Sequence, residues 1–207
     1  MDGDWVDRFE RPLGWLAVPG LPLYLTGMTA AVAALSVFKP EFSGALVLEP
    51  TLLLRGQAWR ALTFLIVPPP AGPLWLFLWL ALVYSCLSAL EAAWGEFKVT
   101  AYVLVGALCT VAGSLATGSR FDPSMIHLSS FLAFARLLPD REVLIMFVLP
   151  VKVRWLAALA GVLVAVEFVA EDMSGRAYIL AGLASYLLFF GRGHYDDMKQ
   201  AWRRRGR

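Results

Sequence analysis

Three side chains near the middle of the chain are of the types that serine hydrolases use. Ser124, His127 and Asp122 lie within the stretch "FDPSMIHLSSFLAFARLLP" at residues 121–139. A serine hydroxyl becomes a nucleophile when a base takes its proton and a further group orients that base. Ser124 and His127 are three residues apart, so they share one face of a helix. Asp122 is the one carboxylate near enough in sequence to orient the imidazole.

The same stretch has a second, structural interpretation. A bond between Ser124 and His127 would have to bend across one helical turn, whereas polar side chains in membrane helices commonly bond to the backbone or to neighbouring helices. We therefore expect His127, Ser129 and Ser130 to make hydrogen bonds within a helix bundle. A histidine in an apolar segment nevertheless remains a candidate functional residue.

The composition of the chain is typical of an integral membrane protein. Of its 207 residues, 59% are hydrophobic and 16% are charged, against about 25% charged in a soluble domain. The mean hydropathy is +0.65. The two cysteines, Cys86 and Cys109, lie inside apolar segments without metal-ligand spacing. We therefore expect a helical membrane protein with no metal, no cofactor and no nucleic-acid partner.

Apolar segments alternate with short polar breaks and predict an all-α, polytopic bundle of six transmembrane helices. The predicted spans are residues 21–38, 74–90, 99–118, 124–138, 155–170 and 177–190. Several are shorter than the roughly 20 residues of a perpendicular spanning helix, which local bilayer thinning or burial in the bundle would allow. Residues 141–150 are apolar but about half the length of a span, and we expect a shallow or interfacial piece there.

The distribution of basic residues predicts the orientation. With six spans both termini lie on one side, which holds thirteen of the 18 Lys and Arg residues and leaves five on the other. Both termini are therefore predicted to be cytoplasmic, in a bacterial inner membrane. The predicted organisation is a cytoplasmic segment 1–20, a membrane domain 21–191 and a basic cytoplasmic tail 192–207. The tail is expected to anchor the topology, with contact to anionic headgroups as the alternative.

Two further ionisable residues lie within predicted spans. Arg136 is near a helix end, and we expect its side chain to snorkel towards the membrane surface. Glu167 is about one turn from Glu171, and either reaches the membrane surface or pairs inside the bundle.

Small residues recur at four-residue steps in three spans and predict close helix packing. They are Ala112 and Ala116, Ala157 and Gly161, and Ala177, Ala181 and Ser185.

Three sequence blocks, in order along the chain, carry a family pattern. In "GQAWRALTFLIVPP" the matching residues are Gly56, Gln57, Trp59, Arg60 and Thr63. In "YSCLSALEAAWGEFKVTAY" they are Leu90, Glu91, Trp94, Gly95, Phe97 and Tyr102. The third block is "AFARLLPDREVLIMFVLPVKVRWLA". These blocks resemble the rhomboid superfamily, and derlins in particular: the loop-1 motif, the turn between helices 2 and 3, and the segment from helix 4 to helix 5.

The residues of these blocks also have a plain physical interpretation. Trp59 and Arg60 form an amphipathic pair suited to a membrane boundary, where tryptophan sits at headgroup level. Glu91 closes the second predicted helix and is expected to tie down a turn through loop amides or an arginine. We expect structural anchoring from all three residues, with direct substrate contact as the alternative.

The resemblance also implies where the catalytic groups of an active member would lie. Active members use a serine at the start of helix 4, a histidine at the start of helix 6, and an asparagine and a histidine of helix 2 that hold the oxyanion. The nucleophile position falls on Ser124, the base position on Tyr178, and the oxyanion positions on Trp79 and Trp75. A tyrosine keeps its proton near neutral pH and is no general base there. Loss of one oxyanion donor alone costs about 100- to 1,000-fold in rate.

The resemblance therefore implies a catalytically inactive, derlin-like pseudoprotease. Such a protein binds transmembrane segments of client proteins, in membrane-protein quality control or trafficking, and contacts membrane lipids. Two alternatives stay open. One is a diverged intramembrane serine protease that uses Ser124, with His127 as the base. The other is a structural subunit or small transporter in which His127, Arg136 and Glu167 line a polar path.

Overall fold

The computed structural model describes residues 7–145 and 149–205. Parts of three predictions lie outside the described residues: 1–6 of the N-terminal segment, 146–148 of the interfacial piece and 206–207 of the tail. The described chain is mostly helical, and five of its helical stretches are long and apolar enough to cross a membrane. The prediction of a multi-pass, helical integral membrane protein is therefore confirmed.

Six principal helices follow the predicted spans in order. They are α1 (Leu21–Phe38), α2 (Pro73–Trp94), α3 (Glu96–Thr117), α4 (Ser124–Leu137), α5 (Val153–Ala170) and α6 (Met173–Arg205). Short helices occupy the N-terminal segment and the loop between α1 and α2, which we call loop 1. They are Asp7–Leu13, Gly14–Leu16, Glu41–Gly44, Pro50–Leu54, Arg60–Thr63 and Phe64–Ile66.

Helix α4 is the exception among the six. It has 14 residues and is therefore roughly 21 Å long, against about 30 Å for the hydrocarbon core of a bilayer. Half of it is nevertheless buried among its neighbours, including Ser129, Ser130 and Ala133. Five helices thus have the length of a span, and the fourth predicted span is a short helix that its neighbours half bury.

The segment between α4 and α5 adds one small extended element to the mostly helical chain. Strands β1 (Glu142–Ile145) and β2 (Leu149–Lys152) pair antiparallel, with Glu142 opposite Lys152 and Ile145 opposite Leu149. Val143, Ile145 and Val151 are β-branched residues, which favour extended pairing. The predicted interfacial piece is a two-stranded hairpin and not a seventh spanning helix.

Small residues bring α6 close to α3. A Cβ atom added at Gly113 of α3 would lie 3.1 Å from the Ala181 Cβ and 3.7 Å from the Ala177 carbonyl oxygen. One added at Gly106 would lie 3.2 Å from the Ser185 Oγ. The predicted small face of α6 is therefore a helix–helix contact, as is usual in lipid.

The other two small-residue pairs do not form the predicted close helix contacts in full. Ala112 and Ala116 are exposed, because α3 turns its glycines, rather than these alanines, towards α6. Ala157 packs beside a buried cluster of α2, α4 and α5. Gly161, one turn further along α5, has open space around its Cα, so the predicted close contact there is wrong.

Helix α6 also lies very close to α4. A Cβ atom added at Gly182 would overlap the side chain of Met125 and would come within 3.1 Å of its backbone carbonyl carbon. Only glycine fits at this crossing. The contact fixes the start of α4 against the first half of α6.

Helix α5 stands at the edge of the bundle and is the least buried of the five candidate spans. It packs against α4 and α6. Its first turns join α2 and α4 in a small buried cluster that contains Cys86, Phe134, Ala135 and Val153. Beyond that cluster, within the described part of the chain, α5 and α2 have no extensive contact.

Candidate functional site

Ser124, the predicted nucleophile position, is the first residue of α4 and is exposed. Its backbone N–H donates to Oδ1 of Asp122 at 2.7 Å. Pro123, between them, has no N–H of its own to donate. The aspartate therefore caps the first turn of α4, where a carboxylate is also favoured by the helix dipole.

Tyr178, the predicted base position, lies beside Ser124, as the resemblance implied. Its hydroxyl donates to the same Oδ1 of Asp122 at 2.7 Å and is also within hydrogen-bonding reach of the Ser124 side chain. The ring of Tyr178 packs on Phe121, with the ring centroids 5.1 Å apart. A tyrosine hydroxyl that keeps its proton and donates a hydrogen bond to a carboxylate is not a general base for the serine. The pair is a structural tie between α6 and the loop before α4.

A cavity of about 200 Å³ lies next to this tie, between α2 and α4. Its α4 wall contains Ser124, His127 and Phe131, and its α2 wall contains Trp79 and Cys86. The two walls meet where the ring of His127 contacts that of Trp79 edge to face, with the ring centroids 4.8 Å apart. An α-helix rises about 1.5 Å per residue. The cavity follows α4 from Ser124 to Phe131 and therefore extends roughly 10 Å inward from the Ser124 end of the bundle.

His127 places one of its two ring nitrogens, Nδ1, against neighbouring protein atoms. Its Nδ1 is fully shielded from solvent and has no hydrogen-bond partner among the described residues. Ser124 lines the same cavity, but no hydrogen bond between the two side chains is found in the described chain, and the Asp122 carboxylate is engaged by Tyr178 and the Ser124 amide. The serine, imidazole and carboxylate are neighbours without the connected bonding of a catalytic triad.

The two predicted oxyanion positions lie in different environments. Trp79 lines the cavity, where its indole edge takes the space that a substrate carbonyl would need. Trp75, one turn earlier on α2, is 62% exposed and belongs to the outer surface. Of the two tryptophans, only Trp79 lies near Ser124.

The serines deeper in α4 make the predicted hydrogen bonds. Tyr102 of α3 donates to Ser129 at 3.0 Å, and Ser129 lies 3.4 Å from the Ser185 hydroxyl of α6. Ser130 donates to the Ile126 carbonyl at 3.0 Å. Tyr102 therefore links three helices from a fully buried position.

Loop 1 is organised by Arg60. The Arg60 side chain is buried and donates to the carbonyl oxygens of Gly44 at 3.0 Å and Val47 at 2.7 Å. Its Nε donates to Oε1 of Gln57 at 2.7 Å. Trp59 donates more weakly, at 3.4 Å, to Ala45. These bonds satisfy loop carbonyls that no regular helix or strand pairs, so the geometry places these residues in a structural role.

The same loop reaches the Ser124 end of the bundle. Arg120 forms an ion pair with Glu49, and Leu48 pairs with Phe121 through an isolated β-bridge. Loop 1 thus supports the segment that carries Asp122.

The turn between α2 and α3 is held as predicted. Oε1 of Glu91 accepts a hydrogen bond from the backbone N–H of Gly20 at 3.1 Å, and Thr100 accepts one from Val18 at 3.1 Å. Gly95 joins the two helices with a φ of 88°, which residues with a Cβ rarely adopt. Glu91 therefore holds the N-terminal segment against the turn between α2 and α3, and Gly95 allows the backbone to make that turn.

A second, polar cavity of about 330 Å³ lies between the loop before α4 and the turn from α5 to α6. Its lining includes Arg120, Asp122, Glu171 and Asp172. Asp172 accepts the Gly175 amide and so caps α6. No group of three His, Cys, Asp or Glu side chains suited to a metal ion occurs in the ranges that the structure describes.

The three predicted intramembrane polar residues are not brought together. His127 faces α2, Arg136 is exposed in the last turn of α4, and Glu167 is exposed in the last turn of α5. The position of Glu167 favours the first of its two predicted environments, the membrane surface. This arrangement offers no common polar path.

Sequence reasoning missed two features of the site. The Trp79–His127 contact depends on how α2 and α4 are rotated about their axes, which no spacing within one helix reveals. The Tyr178–Asp122 bond joins segments that are 56 residues apart, and only the other bond of Asp122, to the Ser124 amide, has a local sign in the sequence, an aspartate just before a helix start. Comparison with protein-family models and with curated proteins finds no match for this chain.

Proposed function

We propose that this protein is a catalytically inactive, rhomboid-like membrane protein that binds transmembrane segments of other membrane proteins. The proposal includes six membrane-embedded helices, both termini in the cytoplasm of a bacterial cell, and a task in membrane-protein quality control or trafficking. It rests on the three sequence blocks that resemble rhomboids and on the geometry around Ser124.

The observation that carries the proposal is a lateral opening beside α4. At the level of the buried cluster around Cys86 and Val153, helices α2, α4 and α5 meet. At the level of the adjoining cavity, the lining comes from α2 and α4 alone. A helix arriving from the bilayer between α2 and α5 would therefore meet side chains of α4 without displacing a packed neighbour.

The short α4 supports the same function. A helix of roughly 21 Å leaves the polar groups at its two ends closer together than the faces of an ordinary bilayer, and lipids next to it would thin locally. Thinned lipid lowers the cost of moving a client helix that carries polar residues, because those residues are nearer to water.

Hydrolysis is disfavoured by the partners of Ser124. The group at the base position is a tyrosine that donates its proton to Asp122, and the group at the oxyanion position is the indole of Trp79. An unactivated serine hydroxyl is a weak nucleophile, so binding without cleavage is the activity that this arrangement supports.

Site-specific photocrosslinking tests the proposal. A photoreactive residue at Leu82, which lines the cavity and is 38% exposed, should capture membrane proteins in cells. The matched control is Leu108 of α3, which is 67% exposed and lies away from the opening. Equal capture from Leu82 and Leu108 would overturn the client-binding function.

One observation favours a second candidate, a diverged serine hydrolase: Ser124 and His127 line the same cavity. A fluorophosphonate probe distinguishes the two functions. Under our proposal the purified protein stays unlabelled. Covalent labelling that disappears in both Ser124→Ala and His127→Ala would establish the hydrolase instead.

A further inference from the structure

We propose that a groove between the last turns of α1 and the first turns of α2 holds one acyl chain of a membrane phospholipid whose headgroup has an ammonium group, such as phosphatidylethanolamine. This inference goes beyond the proposed function and does not depend on it. No residue lines both this groove and the cavity between α2 and α4, so the two sites lie on different faces of α2.

Small residues of α1 create the groove. Its volume of about 680 Å³ is within the range of small-ligand sites. On α1 it is lined by Ala30, Ala33 and Ala34, which share one face of the helix and have only a methyl group each. Val37 and Phe77, which also line it, are 78% and 63% exposed. Since α1 and α2 are both long and apolar enough to cross a membrane, the open side of the groove faces lipid.

The length of the groove distinguishes an acyl chain from a helix. The lining runs from Ala30 to Val37 on α1 and from Pro73 to Leu80 on α2, which is roughly 10 Å along each helix. One leaflet of the hydrocarbon core is about 15 Å deep. The groove therefore stays within the leaflet next to loop 1, as a single lipid tail does. A docked spanning helix would need a groove through both leaflets.

The interior of the groove suits a hydrocarbon chain. No Asp, Glu, Lys, Arg or His is among the described residues that line it. Its two serines donate to backbone carbonyls, Ser36 to Val32 at 2.7 Å and Ser43 to Pro40 at 3.1 Å, and so need no partner from a ligand. Bulk lipid tails are as apolar as this lining. The interior therefore admits a tail without choosing among lipids, and selection depends on the mouth of the groove.

The mouth of the groove is rich in hydrogen-bond acceptors. Residues 67–71, with the sequence VPPPA, line it directly before α2, and their three prolines have no N–H. Within the part of the chain that the structure describes, no backbone N–H donates to a carbonyl oxygen of this segment. Pro70 and Ala71 are exposed, so surrounding protein does not shield them. An ammonium headgroup has three N–H donors and a positive charge for these acceptors, whereas the trimethylammonium group of phosphatidylcholine has no N–H.

Competition between two phospholipids tests the inference. The full-length protein in detergent is mixed with equal amounts of phosphatidylethanolamine and phosphatidylcholine that have the same acyl chains, and native mass spectrometry counts the bound lipid. We expect one retained lipid per protein, with the ethanolamine form favoured roughly three- to tenfold, the effect of one hydrogen bond. Phosphatidylethanolamines with one and two N-methyl groups, which lose the donors stepwise, should be retained progressively less.

Substitutions in the groove locate the retained lipid. Ala34→Phe fills the space of the tail and should abolish the retention. Ala30→Leu fills the same groove with a smaller side chain and serves as a second variant should the phenylalanine variant fail to fold. Ala112→Phe, at an exposed position of α3 outside the groove, is the matched control and should retain lipid as the wild type does.

Four outcomes would overturn the inference. They are wild-type protein that retains no lipid, equal retention of the two phospholipids, a preference that persists in both Ala34→Phe and Ala30→Leu, and a wild-type dimer that Ala34→Phe converts to a monomer, which would assign the groove to a second copy of the chain. Crosslinking from Leu82, which lies outside the groove, tests client binding separately, so either proposal can fail without the other.

Discussion

The Tyr178 hydroxyl and the Asp122 carboxylate are joined by a 2.7 Å hydrogen bond between the start of α6 and the loop before α4. In the register implied by the rhomboid resemblance, Tyr178 stands at the position of a catalytic base. The interaction keeps the two helix ends together, as a catalytic pair would, but a tyrosine keeps its proton near neutral pH and so supplies no general base for Ser124. Several consequences of this and related contacts are measurable.

Tyr178→Phe should weaken the contact between α4 and α6 without altering the fold. The change removes one hydrogen bond to an exposed carboxylate, so we expect a loss of about 1 kcal/mol in the free energy of unfolding. Thermal unfolding in detergent measures it. Tyr84→Phe, on the exposed side of α2, is the control. Equal melting temperatures of the two variants would show that the Tyr178 bond contributes nothing to stability.

Gly182→Ala should destabilise the protein far more than another glycine-to-alanine change in the same membrane domain. A Cβ at Gly182 overlaps Met125 and approaches its backbone, and backbone cannot move aside as a side-chain end can. We expect a loss of about 1–3 kcal/mol. Gly161→Ala, with open space at that position, should be neutral or slightly stabilising. Reversal of this order in thermal unfolding would contradict the close crossing of α4 and α6.

Arg60→Met should loosen loop 1. The variant leaves the Gly44 and Val47 carbonyls without their shared donor and removes the bond to Gln57, which should cost about 2 kcal/mol or more. Limited proteolysis should then cut loop 1 faster. Arg55→Met, at an exposed position of the same loop, should leave the cleavage rate unchanged. Resistance of the Arg60 variant to the protease would refute the structural role of this arginine.

Glu91→Ala should release the N-terminal segment from the turn between α2 and α3. Hydrogen exchange at the Gly20 amide, whose acceptor is Glu91, should become faster by at least about tenfold, the factor for a bond worth about 1.4 kcal/mol. Glu91→Gln retains an oxygen acceptor and should give an intermediate rate. Ser85→Ala removes only a hydroxyl that bonds within α2, so exchange at Gly20 should then match the wild type.

The helix pattern was largely predictable because the membrane imposes simple rules on it. Apolar blocks bounded by Lys39, Gly118 and Glu171 predicted the ends of α1, α3 and α5 to within about one residue, since a charged residue marks the edge of an apolar core and a left-handed glycine such as Gly118 commonly ends a helix. Two elements were not predictable in this way. Helix α6 continues past residue 190 to Arg205, where polarity marks the end of the apolar core without ending the helix. The hairpin of β1 and β2 required pairing between two short segments, which periodicity alone does not specify.

The candidate site was also predictable only in part. The juxtaposition of Ser124 with Tyr178 followed from the family register, and the Glu91 contact followed from the need to satisfy loop amides. The facing of Trp79 and His127, and the glycine at 182, depend on the rotation and crossing of separate helices. Such relationships cannot be read from a single sequence and are seen only in the folded protein.

Helix α6 is longer than a membrane span requires. Its 33 residues form a rod of roughly 50 Å, about 20 Å longer than the hydrocarbon core of a bilayer. One end of this rod bears Tyr178 and Gly182, and the other carries the basic end of the chain. The residues that contact the start of α4 and the basic end of the chain therefore belong to one continuous helix.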